Sequence, residues 1–106
     1  MPLDLRDSKG RWYGLTRRLR VVVVNPKLVN AAKITTYADL ANPQLKGKLC
    51  LRDRKSVYNQ SLVADQLILR GSALTTKWVQ GMTANVTQPY FTSDTPLIRA
   101  IGKGQC

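Results

Sequence analysis

The stretch Cys50-Leu51-Arg52-Asp53-Arg54-Lys55-Ser56-Val57-Tyr58-Asn59-Gln60-Ser61-Leu62 carries a short apolar run into a basic loop and out into a helical pattern. Ser56 is a strong N-cap residue, because its side-chain oxygen can accept from a free N–H of the first turn. Tyr58 then falls in the first turn of that helix, near the C-terminal end of the strand that contains Cys50. Free backbone N–H groups and the helix dipole favour negative charge at such a point. Phenolate oxygen is a hard donor, and hard donors suit oxophilic cations such as ferric iron. Read from residue chemistry alone, the stretch permits an anion or metal site and does not require one. Tyrosine is also a common semi-buried packing residue, and Ser56, Asn59, Gln60 and Ser61 serve equally well as caps and backbone partners.

Outward from this stretch, strand and helix patterns alternate. Residues 19–25 form a β-branched run closed by Asn25-Pro26, which predicts a buried parallel strand. Thr36 caps a brief helix over residues 37–41, and Asn42-Pro43 ends it. Residues 48–51 read as a second short strand and residues 84–87 as a third. The helix begun at Ser56 runs to about Leu69, with Val57, Ser61, Ala64, Ile68, Leu62 and Leu69 on a broad apolar face and Arg70-Gly71 as its stop. Ser72 opens another helix through Trp78. Asp94 or Thr95 caps the last one, Pro96 sits early in it, and Gly102 or Gly104 ends it. Residues 1–12 read as a polar leader, and residues 13–106 as one truncated domain. Alternating strands and helices predict an α/β class with a short parallel sheet flanked by helices.

Composition narrows the chemistry. The 106 residues hold 17 Lys+Arg against 6 Asp+Glu, a formal charge of +11, with no His. All six acids are aspartates: Asp4, Asp7, Asp39, Asp53, Asp65 and Asp94. Missing His removes the usual general base and a common metal ligand, and no phosphate loop, nucleophile elbow or catalytic dyad stands in its place. An enzyme reading has no support. The positive field attracts nucleic acid and other anions without specificity, and its charges are spread along the chain as on a solvated basic surface. No apolar run approaches the roughly 20 residues that span a membrane, so membrane insertion is not expected. The start of the chain lacks the apolar core of a signal peptide, which predicts a cytoplasmic location for the chain expressed as written. Two cysteines are too few for a structural zinc site. Trp12, Trp78, Tyr13, Tyr37 and Tyr90 read as packing residues.

Taken together, several segments resemble the ferric-iron substrate-binding proteins of bacterial ABC transporters. They are Arg11-Trp12-Tyr13-Gly14-Leu15-Thr16-Arg17-Arg18-Leu19-Arg20-Val21-Val22-Val23-Val24-Asn25-Pro26, Thr35-Thr36-Tyr37-Ala38-Asp39-Leu40-Ala41-Asn42-Pro43, Lys46-Gly47-Lys48-Leu49-Cys50-Leu51-Arg52, Val57-Tyr58-Asn59-Gln60-Ser61-Leu62, Ile98-Arg99-Ala100-Ile101 and Gly104-Gln105-Cys106. The likeness covers nearly the whole chain and implies part of the second lobe of a type II periplasmic-binding-protein fold. It makes Tyr58 a ferric ligand position and Fe(III) the bound metal. Arg18 is implied to lie near the iron, and Ser56, Asn59 and Gln60 to face an anion such as phosphate or sulfate. The family's location is periplasmic, its partner is an ABC permease, and its cysteines at positions 50 and 106 look paired. A Cys50–Cys106 disulfide is the reading for an oxidising compartment, and two free thiols for a cytosol.

The sequence departs from the family pattern in two places. Asp53, Arg54 and Lys55 stand where relatives usually carry small serines, which strengthens an anion site and opposes direct approach of a trivalent cation. The family's adjacent tyrosine pair follows the Gly-x-Cys segment, and this sequence stops at Cys106. One phenolate does not fill a ferric coordination sphere, so tight iron binding by this chain alone is not expected. A second reading is a basic structural or interaction module that has lost iron and binds itself, an anion or nucleic acid. Unpaired strand edges predict a two-fold homodimer or a complementary lobe as partner.

Overall fold

Helices dominate a computed structural model of the chain, which describes residues 2–106. α1 spans Val57–Asn85 and α2 spans Asp94–Gly102, joined to the rest by short 3-10 turns at Leu3–Leu5, Ala31–Lys33, Tyr37–Ala41 and Pro43–Leu45. Local chemistry explains most of these boundaries. The Ser56 side chain accepts from the N–H of Asn59 and opens α1. Gly71, at φ 81° and ψ 170°, breaks α1 into two helical pieces in a conformation that costs glycine least. The end of α2 is a Schellman motif: the N–H of Gly104 donates to Ile101 O and that of Gln105 to Ala100 O, with Gly104 at φ 78°. Ser93, not Asp94 or Thr95, occupies the N-cap of α2, so Asp94 is its first helical residue.

The second half of α1 builds the main core. Trp78 and Met82 bury against Leu40, and Ile34, Tyr37, Leu49, Leu51, Leu62 and Val79 pack around them. Polar groups fix the register of this contact. The Trp78 indole N–H donates to Tyr37 O at 2.7 Å. The buried Asn85 amide donates to Leu40 O and Asn42 O, both at 2.9 Å. These bonds satisfy carbonyls at the end of a short turn that would otherwise be buried without partners. A smaller cluster of Ala100, Ile101 and Cys106 takes in Cys50, Phe91 and Leu97, and the Cys50–Cys106 disulfide runs through it. Closing a loop of 56 residues stabilises a chain by about 4 kcal/mol in the chain-entropy account.

The expected short parallel sheet does not form. Among the described residues, parallel pairing is limited to isolated bridges of Leu49 with Val86 and Arg52 with Phe91. Among the described residues, residues 21–24 make no backbone–backbone hydrogen bond, and Val21 stays 71% exposed. A β-branched run becomes a strand only when a neighbour takes its N–H and C=O groups, and among the described residues no backbone does so here. The broad apolar face expected on the first half of α1 is buried only in part. Leu62 and Val63 turn toward the core, while Val57 and Ile68 stand in solvent, Ile68 at 84% exposure. Trp78 is buried as expected, whereas Trp12, Tyr13 and Tyr90 are exposed.

Two outcomes follow from this packing. A Cβ at Gly81 would lie 2.7 Å from the Ala41 Cβ and 3.2 Å from the Ala41 carbonyl oxygen. Gly81→Ala therefore forces α1 off the 37–41 turn and is expected to lower stability by about 1–3 kcal/mol in denaturant titration. The Asp39 carboxylate is held below the usual carboxylate range, chiefly by the backbone N–H of Thr35 and also by that of Thr36. A depressed folded-state value means that its contribution is present above the ordinary aspartate range and lost as pH falls through the lower folded value. Asp39→Asn is expected to reduce the loss of stability as pH falls below the ordinary aspartate range, as read by denaturant midpoints on acidification.

Candidate functional site

The basic loop before α1, the α1 N-terminus and the first residue of α2 meet at Tyr58. Ser56 is buried, and Tyr58 follows as the second residue of α1, half-buried. The loop is tied down by the helix it precedes: Asn59 Nδ2 donates to Arg52 O at 2.9 Å, and Gln60 Nε2 donates to Arg54 O at 3.0 Å. The Asp53 carboxylate accepts from the Lys55 N–H, so it caps the loop from within. These hydrogen bonds fasten the loop to the first turn of α1, beside Tyr58.

Arginines surround the phenol. Arg18 Nη1 donates to the Tyr58 hydroxyl at 2.8 Å. The guanidinium carbons of Arg18, Arg20 and Arg52 lie 5.3, 5.4 and 5.5 Å from the ring centroid. Such distances are those of cation–π contact, which draws positive charge to an aromatic ring. Arg52 is largely buried and donates through Nη2 to Thr92 O and through Nη1 to Asp94. The Nε of Arg52 is buried without a hydrogen-bond partner among the described residues. Arg54 and Lys55 are exposed at the loop tip.

Of the residues singled out from sequence, the structure brings Arg18, Ser56, Tyr58, Asn59 and Gln60 into one corner. Cys50 lies at the start of the segment that leads to it and is bonded to Cys106 beyond α2. Arg20, Arg52 and Asp94 were not singled out. Arg20 had one available signal, its place two residues from Arg18 in an extended run, which puts both side chains on one face. Asp94 had none, since 42 residues separate it from Arg52. Among the described residues there is no group of three or more Cys, Asp or Glu able to hold a metal ion. The oxygens at this corner are the Tyr58 hydroxyl and the carboxylates of Asp53 and Asp94, which are engaged with the Lys55 N–H and with Arg20 and Arg52.

Residues 1–98 match the family described as bacterial extracellular solute-binding protein. Iron uptake protein A2 of Synechocystis is 40% identical over 98% of this chain and 30% of its own length. The Fe(3+)-binding periplasmic protein of Serratia marcescens is 33% identical over 94% of this chain and 29% of its own length. In structure, the chain is similar to the Trichodesmium FutA protein in complex with iron and citrate, with a TM-score of 0.90 and 34% identity over 98% of this chain and 33% of that one. The chain belongs to the bacterial extracellular solute-binding proteins, and its fold is that of part of a type II periplasmic-binding-protein lobe. It spans about 30% of the length of the curated relatives it matches.

Proposed function

We propose that this chain is a segment of an Fe(III) solute-binding protein of an ABC importer, with Tyr58 as one phenolate ligand. The observation that carries this reading is the Tyr58 corner: a hard oxygen donor at a helix N-terminus, hydrogen-bonded by Arg18. Relatives named for iron uptake and Fe(3+) binding, and a structural neighbour holding iron and citrate, support it. The arginines give the site a second requirement. A trivalent cation approaching Tyr58 meets three guanidiniums, so iron enters with an anion that the arginines and the α1 N–H groups hold. Phosphate, sulfate or a carboxylate has the acceptor oxygens for that role. A single phenol leaves most of the ferric coordination sphere to other donors, and binding by this chain alone is weak. The location is periplasmic and the partner an ABC permease. No helix of the described residues is long and apolar enough to cross a membrane.

A second part of the proposal concerns association. The accessible surface is 7890 Å², whereas a compact monomer of 11.8 kDa exposes about 5,900 Å². The radius of gyration is 15.7 Å, against about 13 Å for a compact chain of this length. The surplus surface is more than twice the roughly 800 Å² that each partner buries in a standard interface. It includes the unpaired run Val21, Val22 and Val23 and the exposed Val57, Leu67, Ile68 and Leu69 of α1. A second copy can pair its residues 21–24 with the same edge about a two-fold axis and cover these apolar groups. The charge of +11 opposes this at long range, but salt screens it beyond roughly 8–10 Å.

Two measurements check these readings. Titration with ferric citrate is expected to give a visible tyrosinate-to-iron charge-transfer band only at chelate concentrations far above that of the protein, and Tyr58→Phe is expected to abolish it. No band in the parent chain, or an undiminished band in the variant, sinks the ligand assignment. Light scattering at moderate salt is expected to report the mass of two chains, and Val22→Lys to shift it toward one. A single-chain mass across the micromolar range overturns the dimer.

A further inference from the structure

We infer that Asp94 is the positioning residue of the Tyr58 corner, holding two of its three arginines against the ring and setting the net charge that the phenol meets. The inference rests on the proposed role of Tyr58, and it concerns how that site is tuned. Asp94 Oδ1 accepts from Arg52 Nη1 at 3.2 Å and lies 3.8 Å from Arg20 Nη2. The same two guanidiniums stack at 5.5 and 5.4 Å from the Tyr58 centroid. One carboxylate oxygen therefore reaches two cations that come from residues 32 positions apart in the chain. No other carboxylate pairs with either arginine among the described residues.

The arrangement is poorly suited to stability and well suited to placement. Asp94 is half exposed, and ion pairs of that kind contribute little to folding. What it supplies is direction. Without it, Arg52 keeps its bond to Thr92 O through Nη2, but Nη1 and the already unpartnered Nε have no acceptor. Arg20 loses its ion pair altogether. Three like charges gathered on one ring repel each other, and the carboxylate offsets one of them. Its place as the first residue of α2 also matters. The C-terminal end of α2 packs with Cys106 and Cys50, so the disulfide and α2 hold Asp94 at the distance where it meets both arginines.

Fluorine NMR of the full chain labelled with 3-fluorotyrosine tests this without iron. The four tyrosine resonances are assigned by single Tyr→Phe substitutions. Asp94→Asn is expected to displace the Tyr58 resonance while Tyr13 and Tyr37 stay in place, and Asp94→Glu to return it toward the parent position. Arg52→Gln, which removes the cation and leaves the acid, is expected to displace the same resonance. In the metal-free protein, Asp94→Asn is also expected to raise the affinity for inorganic phosphate several-fold, because one negative charge has left the corner. A Tyr58 resonance unmoved by Asp94→Asn overturns the inference. Movement of all four resonances together also overturns it, since it assigns Asp94 a purely structural role. None of these outcomes depends on whether Tyr58 binds iron, so a failed ferric titration leaves the test intact.

Discussion

The docking of the second half of α1 on the 37–41 turn is the contact from which the rest of the structure is hung. Trp78 and Met82 supply its apolar area, but the bonds from Trp78 to Tyr37 O and from Asn85 to Leu40 O and Asn42 O decide its register. Gly81 lets the two backbones approach, because a side chain there would meet Ala41. Interiors are packed densely enough that such a contact is fixed to within a fraction of an ångström. Once that end of α1 is seated, the break at Gly71 sets where its first turn points. Tyr58 and Ser56 inherit their position from a contact some twenty residues away.

Local signals in the sequence read true where the chain needs only itself to obey them. Ser56 opens α1, Gly71 breaks it and Asn42-Pro43 ends the 37–41 turn because capping, positive φ and proline sterics act within a few residues. The strand assignments failed for the converse reason. A run such as Val21-Val22-Val23-Val24 has the composition of a buried strand, but a strand exists only as a pair, and pairing is a property of neighbours. The reading of the α1 face was only partly right, through Leu62, for a related reason. Val57, Leu62, Val63, Ala64, Leu67, Ile68 and Leu69 lie nearly all round the first half of the helix, so periodicity alone could not choose between them. The choice fell to Leu62 and Val63 because the main core lies on that side.

The candidate site divides along the same line. Tyr58, Ser56, Asn59 and Gln60 were legible as one helix terminus, and Arg18 through the family resemblance. Arg20, Arg52 and Asp94 close the corner from three separate segments, and only tertiary structure brings them together. Asp94 in particular looked like a helix cap from its neighbours, while the structure uses its carboxylate across space and leaves the cap to Ser93.

The distribution of acids explains why the corner remains so positive. Asp7 is engaged with Arg11, Asp4 with Arg17, Asp39 with the Thr35 and Thr36 backbone, and Asp53 with the Lys55 N–H. With Asp94 divided between Arg20 and Arg52, Asp65 is the one aspartate with no such engagement among the described residues, and it lies exposed on α1. Hence, among the described residues, no carboxylate other than that of Asp94 pairs with Arg18, Arg20 or Arg52. Three guanidiniums and the first N–H groups of α1 face a single carboxylate and a phenol. Charge of that density in a half-buried corner is stable only when counter-charge can reach it. Under the proposed ferric role of Tyr58, an anion that also carries oxygen donors would meet both needs at once: it would neutralise the arginines and supply a metal with donors beyond the phenol.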